Sequence, residues 1–508
     1  MARYKRSDAS TGQGLFLTVR LQEQLLPGTF EYMLNEIIDT KIDTSIFDKK
    51  YKNDKTGASA IPPAVLLKLV VYAYSKGLLS SREIWALSRE NMVAKALTGD
   101  MPIHWTTISS FISENSQEFR EIFGKVLAYC NELGLIGGET FAIDGCRLPS
   151  NASKEFGGTL EGLQKRLALY ERMADKHLAK HMRKDERGEN DTETNKRAEK
   201  RQEKLKRQIE RISAFLETME KKKGKRGQEV RSNVTDNESA LIRTPSGYIQ
   251  GYIGLAVADA QTQVVVGAQA VGSANECEHF PEMLGESFAN LREAGVQGFE
   301  EEHGEEDGGE RPKRRILADK NYFSEENLEA CARLQIEGII PDSQARKSLN
   351  TDKERKYVLG DFRYHREENA YTCPQGKKLC HTKNKSLGGK TGEEYRANVE
   401  DCRLCSQYGR CIRSKKEQSE LVHGKTLLVK GPLCRAMREK FEQEEYKEYY
   451  DARMQIIEPV FAHIRHCKGL GRFTLRGRTK VHGQWLLYCI VHNLCKCLSA
   501  HKKMLAVT

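Results

Sequence analysis

Three acidic residues stand where carboxylates could bind metal ions together. Asp144 ends the apolar run Phe141-Ala142-Ile143, and Asp319 ends the run Ile316-Leu317-Ala318 just before a helical pattern. Short apolar runs of this kind indicate buried strands. The third acid, Glu458, belongs to a helical pattern. Two strand carboxylates and one helix carboxylate can converge on a pair of Mg²⁺ or Mn²⁺ ions, which predicts a two-metal site for phosphoryl transfer.

The helix around Glu458 is indicated by its apolar spacing. Met454, Ile457, Phe461 and Ile464 recur at helical intervals, so the Glu458 carboxylate leaves beside a buried stripe. Each acid also has a plainer interpretation, because an Asp that follows a strand is often only a helix cap or a turn residue.

Four stretches, in this order, resemble the DDE transposases of bacterial insertion sequences. They are the helical region before FAIDG, then NVTDNESALIRTPSGYIQGYIGLAVAD, LADKNYFS, and IIEPVFAHIRHCKGLGRFTLRGRTKVHGQWLLYCIVHNLCK. The resemblance spans nearly the whole chain. It implies an α/β fold with a ribonuclease-H-like mixed-sheet core, in which Asp144, Asp319 and Glu458 are catalytic. It also implies that a homodimer cuts double-stranded DNA at inverted-repeat ends and joins those ends to target DNA.

Related transposases carry the signature Tyr-x2-Arg-x3-Glu-x6-Lys around the third acid. Tyr450 and Arg453 have the first spacing, but Arg453 is one position out of register with Glu458. Arg465 takes the place of the signature Lys. It lies nearly two helical turns after Glu458 and therefore on the same face, where it could hold a phosphate. We expect Arg453 and Arg465 to contact DNA.

A basic strip follows this helix, and its members are interleaved with glycines: Lys468, Arg472, Arg476, Arg478 and Lys480. Such a strip suits contact with phosphates, although a solvated loop can have the same composition. The chain has 82 Lys and Arg against 71 Asp and Glu, a net charge of +11. That balance favours a polyanionic partner, but a basic surface without nucleic acid would also produce it.

The pattern predicts four units. An all-helical N-terminal domain covers 1–135, and the catalytic core is divided into 136–153, 231–344 and 446–508. The highly charged segment 154–230 has two helical stripes and predicts a helical hairpin inserted in the core; its end, KKKGKRG, could grip DNA or simply be solvated. A Cys-rich insertion covers 345–445. In the N-terminal domain, Thr106, Thr107 and Ser109 could belong to a helix-turn-helix reader of the terminal repeats, or the helices could simply pack.

The Cys-rich segment contains a knuckle-like spacing. Cys373 is followed by Pro-Gln-Gly, and Cys402-x2-Cys405 is followed by Cys411. Because thiols stay reduced in the cytosol and Zn²⁺ takes four such ligands, these four cysteines predict a structural zinc site. Cys380 could replace one of them, and unligated thiols are the alternative.

Nothing in the sequence indicates a membrane protein. The longest apolar run, Trp485 to Val491, is too short to span a bilayer, and the N-terminus lacks the apolar core of a signal peptide. We therefore expect a cytoplasmic, nucleoid-associated enzyme. Two other functions stay open: a decayed transposase that only binds DNA, and a metal-dependent nuclease without strand transfer.

Overall fold

The structure is a computed structural model that describes residues 20–51, 59–186, 192–224, 227–299, 313–342, 357–387, 390–412 and 417–507. The chain divides into two compact units, residues 1–111 with 501–508 and residues 112–500. Lys225 and Arg226 of the predicted cationic loop, and the first part of the predicted Cys-rich insertion, lie outside the described residues.

The described part of the first unit is helical, as predicted. Its helices are α1 (Phe30–Thr40), α2 (Pro63–Ser75), α3 (Ser81–Glu90), α4 (Met92–Thr98) and the start of α5 (Trp105–Glu114). Pro63 opens α2, where its missing N–H is not needed. Glu83 accepts a hydrogen bond from the backbone N–H of Ser80 at 3.1 Å, which closes the start of α3. Thr106 and Ser109 are exposed on α5; their contact with DNA stays a prediction.

The remaining elements, in chain order, alternate between strands and helices. The strands are β1 (Thr140–Pro149), β2 (Gly157–Gly158), β3 (Ser232–Asn233), β4 (Ala240–Thr244), β5 (Gly247–Asp259), β6 (Val265–Val271), β7 (Arg315–Ala318), β8 (Glu337–Ile339), β9 (Arg363–His365), β10 (Ala370–Thr372), β11 (Lys378–Leu387), β12 (Lys390–Ala397) and β13 (Thr426–Lys430). The helices are α6 (Ser116–Glu132), α7 (Leu160–Glu186), α8 (Thr192–Thr218), α9 (Phe280–Glu293), α10 (Glu325–Arg333), α11 (Val399–Arg403), α12 (Tyr408–Cys411), α13 (Pro432–Lys440), α14 (Glu444–Ala462) and α15 (Arg478–Val507).

A mixed sheet forms the centre of the second unit. Its order is β4-β5-β1-β7-β8, with β6 also paired to β5. β1 is antiparallel to β5 and parallel to β7, and β7 is parallel to β8. This arrangement confirms the predicted mixed α/β class. Because parallel strands end at the same edge of a sheet, β1 and β7 bring the residues that follow their apolar runs together.

Two helices near the C-terminus cover this sheet. α14 contacts β1, β5 and β7. Residues 485–491 of α15 are all buried, as their apolar composition predicts, and Trp485 Nε1 donates a hydrogen bond to the Leu255 carbonyl at 2.8 Å. The Trp485 ring fills the space left by Gly254, where an added Cβ would lie 3.0 Å from the indole.

The charged segment after β1 is a helical hairpin, as predicted. α7 and α8 pack on each other, and Leu160, Leu163 and Ile212 form their buried centre with Phe156. The two predicted stripes supply these residues. Met219, the last member of the second stripe, is 40% exposed, so the apolar contact ends before the end of the pattern.

The Cys-rich segment contains an antiparallel sheet that the sequence pattern did not predict. Its order is β13-β12-β11-β10-β9, and its core includes Tyr371, Leu379, Tyr395 and Val429. Most other residues of β11 and β12 are polar, so the apolar alternation that normally marks a strand is weak.

Two buried histidines join α15 to the end of α14. His492 donates through Nε2 to the Gln263 carbonyl at 2.9 Å, so its Nδ1 accepts from His463 Nδ1 at 2.9 Å. Burial lowers the pKa of His492 to about 3 and that of His463 to about 4.

This pair predicts a loss of stability in acid. Since the unfolded chain binds these protons near pH 6.5 and the folded chain does not, stability is complete above that pH and is lost as the pH falls toward 4. The slope is up to about 1.4 kcal/mol per pH unit for each histidine. Melting temperatures measured from pH 7 to 4.5 should fall less steeply for His492→Gln than for the wild type. An unchanged slope would exclude this pair as its source.

Candidate active site

The two predicted strand acids leave the same edge of the central sheet. Ile143 of β1 pairs with Ala318 of β7 in parallel register. Asp144 and Asp319 are the next residues on these strands, so their backbones lie side by side. Three buried residues precede each acid, which explains why the apolar runs in the sequence located them.

Glu458 lies on α14, one residue before a break in its hydrogen bonding. Pro459 has no N–H to donate to the Gln455 carbonyl. The side-chain amide of Gln263 donates to that carbonyl instead, at 2.9 Å. The chain then continues into a π-helical turn, His463–Cys467, which contains Arg465. The end of α14 is thus fixed by contacts from the β5–β6 turn.

All three acids line one cavity of about 790 Å³. Arg465, Cys146 and Glu276 line it as well. Glu458 and Arg465 are exposed, whereas Asp144 and Asp319 are half-buried. The prediction that the three acids converge on one place therefore agrees with the geometry, and a cationic side chain is present beside them.

The two strand acids are held by side chains from α14. Arg453 Nη1 donates to Asp144 Oδ2 at 2.8 Å, and the Tyr450 hydroxyl donates to Asp319 Oδ1 at 3.2 Å. The Arg453 side chain is only 8% exposed. Its predicted contact with DNA does not fit this position, because the guanidinium is buried against Asp144. The one-residue shift from the family signature does not prevent Arg453 from reaching the site.

Glu276 is a cavity residue that the sequence did not single out. It begins a short 3₁₀ helix after β6, and Arg147 Nη2 donates to its Oε1 at 3.1 Å. Burial, opposed by Arg147 and assisted by the charges of Asp144 and Asp319, raises the pKa of Glu276 to about 7. An acid five residues after a strand carries no motif, so only the fold brings it to the cavity.

Gly145 is the residue that allows Glu276 to approach β1. A Cβ at this position would lie 2.5 Å from Glu276 Oε2 and 2.7 Å from Ile253 Cγ2. Its backbone N–H also donates to Asp144 Oδ1 at 2.8 Å. The glycine that follows the first acid is therefore required by space.

The cavity residues fit a hard divalent cation. Carboxylate oxygens are the ligands that Mg²⁺ and Mn²⁺ prefer. Within the described part of the chain, no group donates a hydrogen bond to the buried Glu276 Oε2, so one lining oxygen has its acceptor capacity unused. As the side chains stand, no three His, Cys, Asp or Glu residues among those described are arranged to hold one ion.

Part of the predicted basic strip is bound to the protein's own backbone. Arg472 Nη2 donates to the Ser150 carbonyl at 3.0 Å, and Arg476 Nε donates to the Asn151 carbonyl at 2.9 Å. These contacts tie the strip to the segment that follows β1. The guanidinium groups remain exposed, as does Lys480, while Lys468 is half-buried.

The NVTDNES segment holds the other end of the strip. Asp236 is buried and accepts from the Tyr252 hydroxyl at 2.8 Å and from the Gly477 N–H at 3.3 Å. Glu238 accepts from the Arg478 N–H at 2.9 Å. This segment therefore positions the loop before α15, which the sequence resemblance did not explain.

The four cysteines of the predicted zinc site lie beside the second sheet. Cys373, Cys402 and Cys411 pack against its core. The backbone N–H groups of Lys377 and Lys425 donate to Cys373 Sγ at 3.3 Å and Cys402 Sγ at 3.2 Å. Burial, with the other three sulfur atoms acting on it, raises the pKa of Cys411 to about 11. Cys405 is partly exposed, and Cys380 is exposed on β11.

Zinc binding by these thiols stays a prediction. We expect about one zinc per chain in protein purified without chelator, and its loss from Cys402→Ser, since structural zinc contributes directly to folding. Cys380→Ser, which changes the exposed thiol, is the control and should keep the metal. Elemental analysis that finds no zinc in the wild-type protein would refute the prediction.

Comparison with known families agrees with the geometry. Residues 372–498 match the transposase DDE domain, and residues 19–114 match a transposase domain (DUF772). The first match includes Glu458, Arg465 and the four cysteines, so the second sheet lies within it. No curated protein sequence matches the chain. In the described residues, no helix is both long and apolar enough to cross a membrane. The chain belongs to the DDE transposases of insertion sequences.

Proposed function

We propose that this transposase cleaves DNA at the inverted-repeat ends of its element and joins the freed 3′-hydroxyl to target DNA. The observation that carries this proposal is the single cavity lined by Asp144, Asp319, Glu458 and Arg465. Carboxylates from three separate elements, next to an exposed arginine, suit a polyanionic substrate that reacts at phosphorus with the help of divalent cations.

Each side chain has a distinct part in this reaction. Asp144, Asp319 and Glu458 would hold the Mg²⁺ or Mn²⁺ ions, which supply charge neutralisation at phosphorus and activate the attacking oxygen. Arg453 and Tyr450 orient the two strand carboxylates, since each occupies one oxygen and leaves the rest of the group facing the cavity. Arg465 binds a phosphate oxygen beside the reacting bond and offsets its negative charge.

The strand arrangement supports a ribonuclease-H-like core. Three strands, β6, β5 and β1, pair in antiparallel succession, and β7 and β8 extend the sheet in parallel. In this arrangement the acids of β1 and β7 occupy one edge and the C-terminal helices cover one face. The helical hairpin and the second sheet are then insertions into this core.

The DNA path follows from charge and exposure. We infer that the exposed cations of the strip, including Lys480, contact phosphates, and that the N-terminal unit reads the terminal repeats. Because both ends of an element must be held together, the active complex is a homodimer. These assignments rest on the family and on the basic surface beside the cavity.

The proposal is tested by incubating the purified chain with a duplex that carries the element end, a target duplex and Mg²⁺. We expect a nick at the element end and a joined product, both of which disappear when EDTA is added. Cleavage without joining would identify a nuclease that lacks strand transfer. Binding without cleavage would identify a decayed transposase.

The basic strip gives a separate prediction about binding. Lys480→Gln should weaken binding to terminal-repeat and random duplexes alike, and lower the slope of log affinity against log salt by about one unit, because one phosphate contact is lost. Fluorescence anisotropy over a range of salt concentrations measures both effects. Glu448→Gln, an exposed change of opposite sign on α14, is the control. If Lys480→Gln reduces only terminal-repeat binding, Lys480 contacts bases.

A further inference from the structure

The side chain of Glu276 is in an unusual state for a buried charge. It is 7% exposed, and only one of its two oxygens is used: Oε1 accepts from Arg147. Oε2 has no donor among the described residues. A buried carboxylate oxygen without a partner is costly, so such atoms usually serve a bound group.

The position of Oε2 relates it to the first catalytic strand. It lies against Gly145, at 2.5 Å from where a Cβ of that residue would be, and Gly145 is the neighbour of Asp144. Glu276 itself lines the cavity that contains Asp144, Asp319 and Glu458. The unused oxygen is therefore next to the carboxylate proposed to bind metal.

A second buried polar atom supports the same location. The hydroxyl of Tyr322 also has no hydrogen-bond partner among the described residues, and Tyr322 follows Asp319 by three positions. The charges that act on this hydroxyl include those of Glu276, Asp144 and Asp319. Two buried polar atoms near the same acids are unsatisfied by protein groups, which is expected where a hydrated cation binds.

We propose that Glu276 is a fourth carboxylate of the active site, and that its Oε2 helps to hold the divalent cation at Asp144, directly or through the cation's hydration shell. This inference rests on the proposed function. Arg147 then acts as a positioning residue: it fixes Oε1 and is itself anchored by a 3.3 Å hydrogen bond to the Arg243 carbonyl.

The test compares Glu276→Gln with the wild type in Mn²⁺ titrations of the full chain. Free Mn²⁺ is followed by electron paramagnetic resonance, which does not depend on catalysis. The variant keeps the size of the side chain and an acceptor for Arg147 but removes the charge. We expect the Mn²⁺ concentration for half-saturation to rise about ten- to hundredfold, and Glu276→Asp to recover part of the affinity.

A matched control is available in the second sheet. Glu394 is also buried and paired with an arginine, since its Oε1 accepts from Arg396 Nη2 at 2.8 Å. Glu394→Gln should leave Mn²⁺ binding unchanged. Without metal, Glu276→Gln should melt at or above the wild-type temperature because an unsatisfied buried charge is removed, and Mn²⁺ should raise its melting temperature less than it raises that of the wild type.

The outcomes separate this inference from the proposed function. Equal Mn²⁺ half-saturation in the wild type and Glu276→Gln, or no Mn²⁺ binding by the wild type at millimolar metal, overturns the role of Glu276. If the wild type cleaves no element-end DNA but Glu276→Gln loses Mn²⁺ affinity, the metal role stands and the proposed reaction fails.

Discussion

Changing any one of the three acids to its amide, as Asp144→Asn, Asp319→Asn or Glu458→Gln, is expected to reduce cleavage at element ends by about a thousandfold or more. The amide keeps the shape of the side chain but lacks the charge that a divalent cation requires, so charge at phosphorus is no longer neutralised. Single-turnover cleavage of an end-labelled duplex in Mg²⁺ measures the effect.

Two controls make this result specific. Binding to the same duplex should be retained in all three variants, since the acids act on the reaction and not on the basic surface. Glu448→Gln, on α14 but outside the residues that line the cavity, should cleave normally. If Glu458→Gln cleaves at the wild-type rate, Glu458 is not a catalytic residue of this transposase.

The second large effect concerns the buried pair between Arg453 and Asp144. Arg453→Met should lower the free energy of unfolding by about 3 kcal/mol, because it leaves the Asp144 carboxylate without its cation. The lower end of the usual range applies, since Asp144 is 24% exposed. Urea denaturation measured without divalent metal gives the value.

A double-mutant cycle tests the interaction itself. Combining Arg453→Met with Asp144→Asn removes both charges, so part of the lost stability should return. Arg453→Lys keeps the charge but not the planar guanidinium, and should fall between the wild type and Arg453→Met. Additive losses in the double variant would show that the two side chains do not stabilise each other.

The sequence located residues that follow a strong local pattern. Asp144 and Asp319 were found because each ends a run of buried strand residues, and the α14 helix was found from its apolar spacing. Pro63 and the Ser80–Glu83 pair marked helix starts correctly because capping depends on neighbouring residues alone. Convergence of the acids on one cavity also agrees with the family resemblance.

Other features depend on contacts between distant segments, which local patterns do not contain. Glu276 has no motif, and only the packing of the segment after β6 brings it beside Gly145. Arg453 was assigned to DNA because charge says nothing about burial, whereas α14 turns it toward Asp144. Arg472 and Arg476 contact the backbone after β1, so they have structural partners that composition could not reveal.

The order in which the cavity residues occur along the chain also constrains synthesis. β1 forms its parallel pair with a strand encoded far downstream, and both then receive α14, which lies near the C-terminal end. Contacts of such long sequence separation form late, because the entropy of closing the intervening chain must first be overcome. A nascent transposase therefore lacks the third acid, Arg453 and Tyr450 until α14 has left the ribosome. Translation that stops earlier yields chains with an N-terminal region of the transposase but without the side chains needed to break DNA.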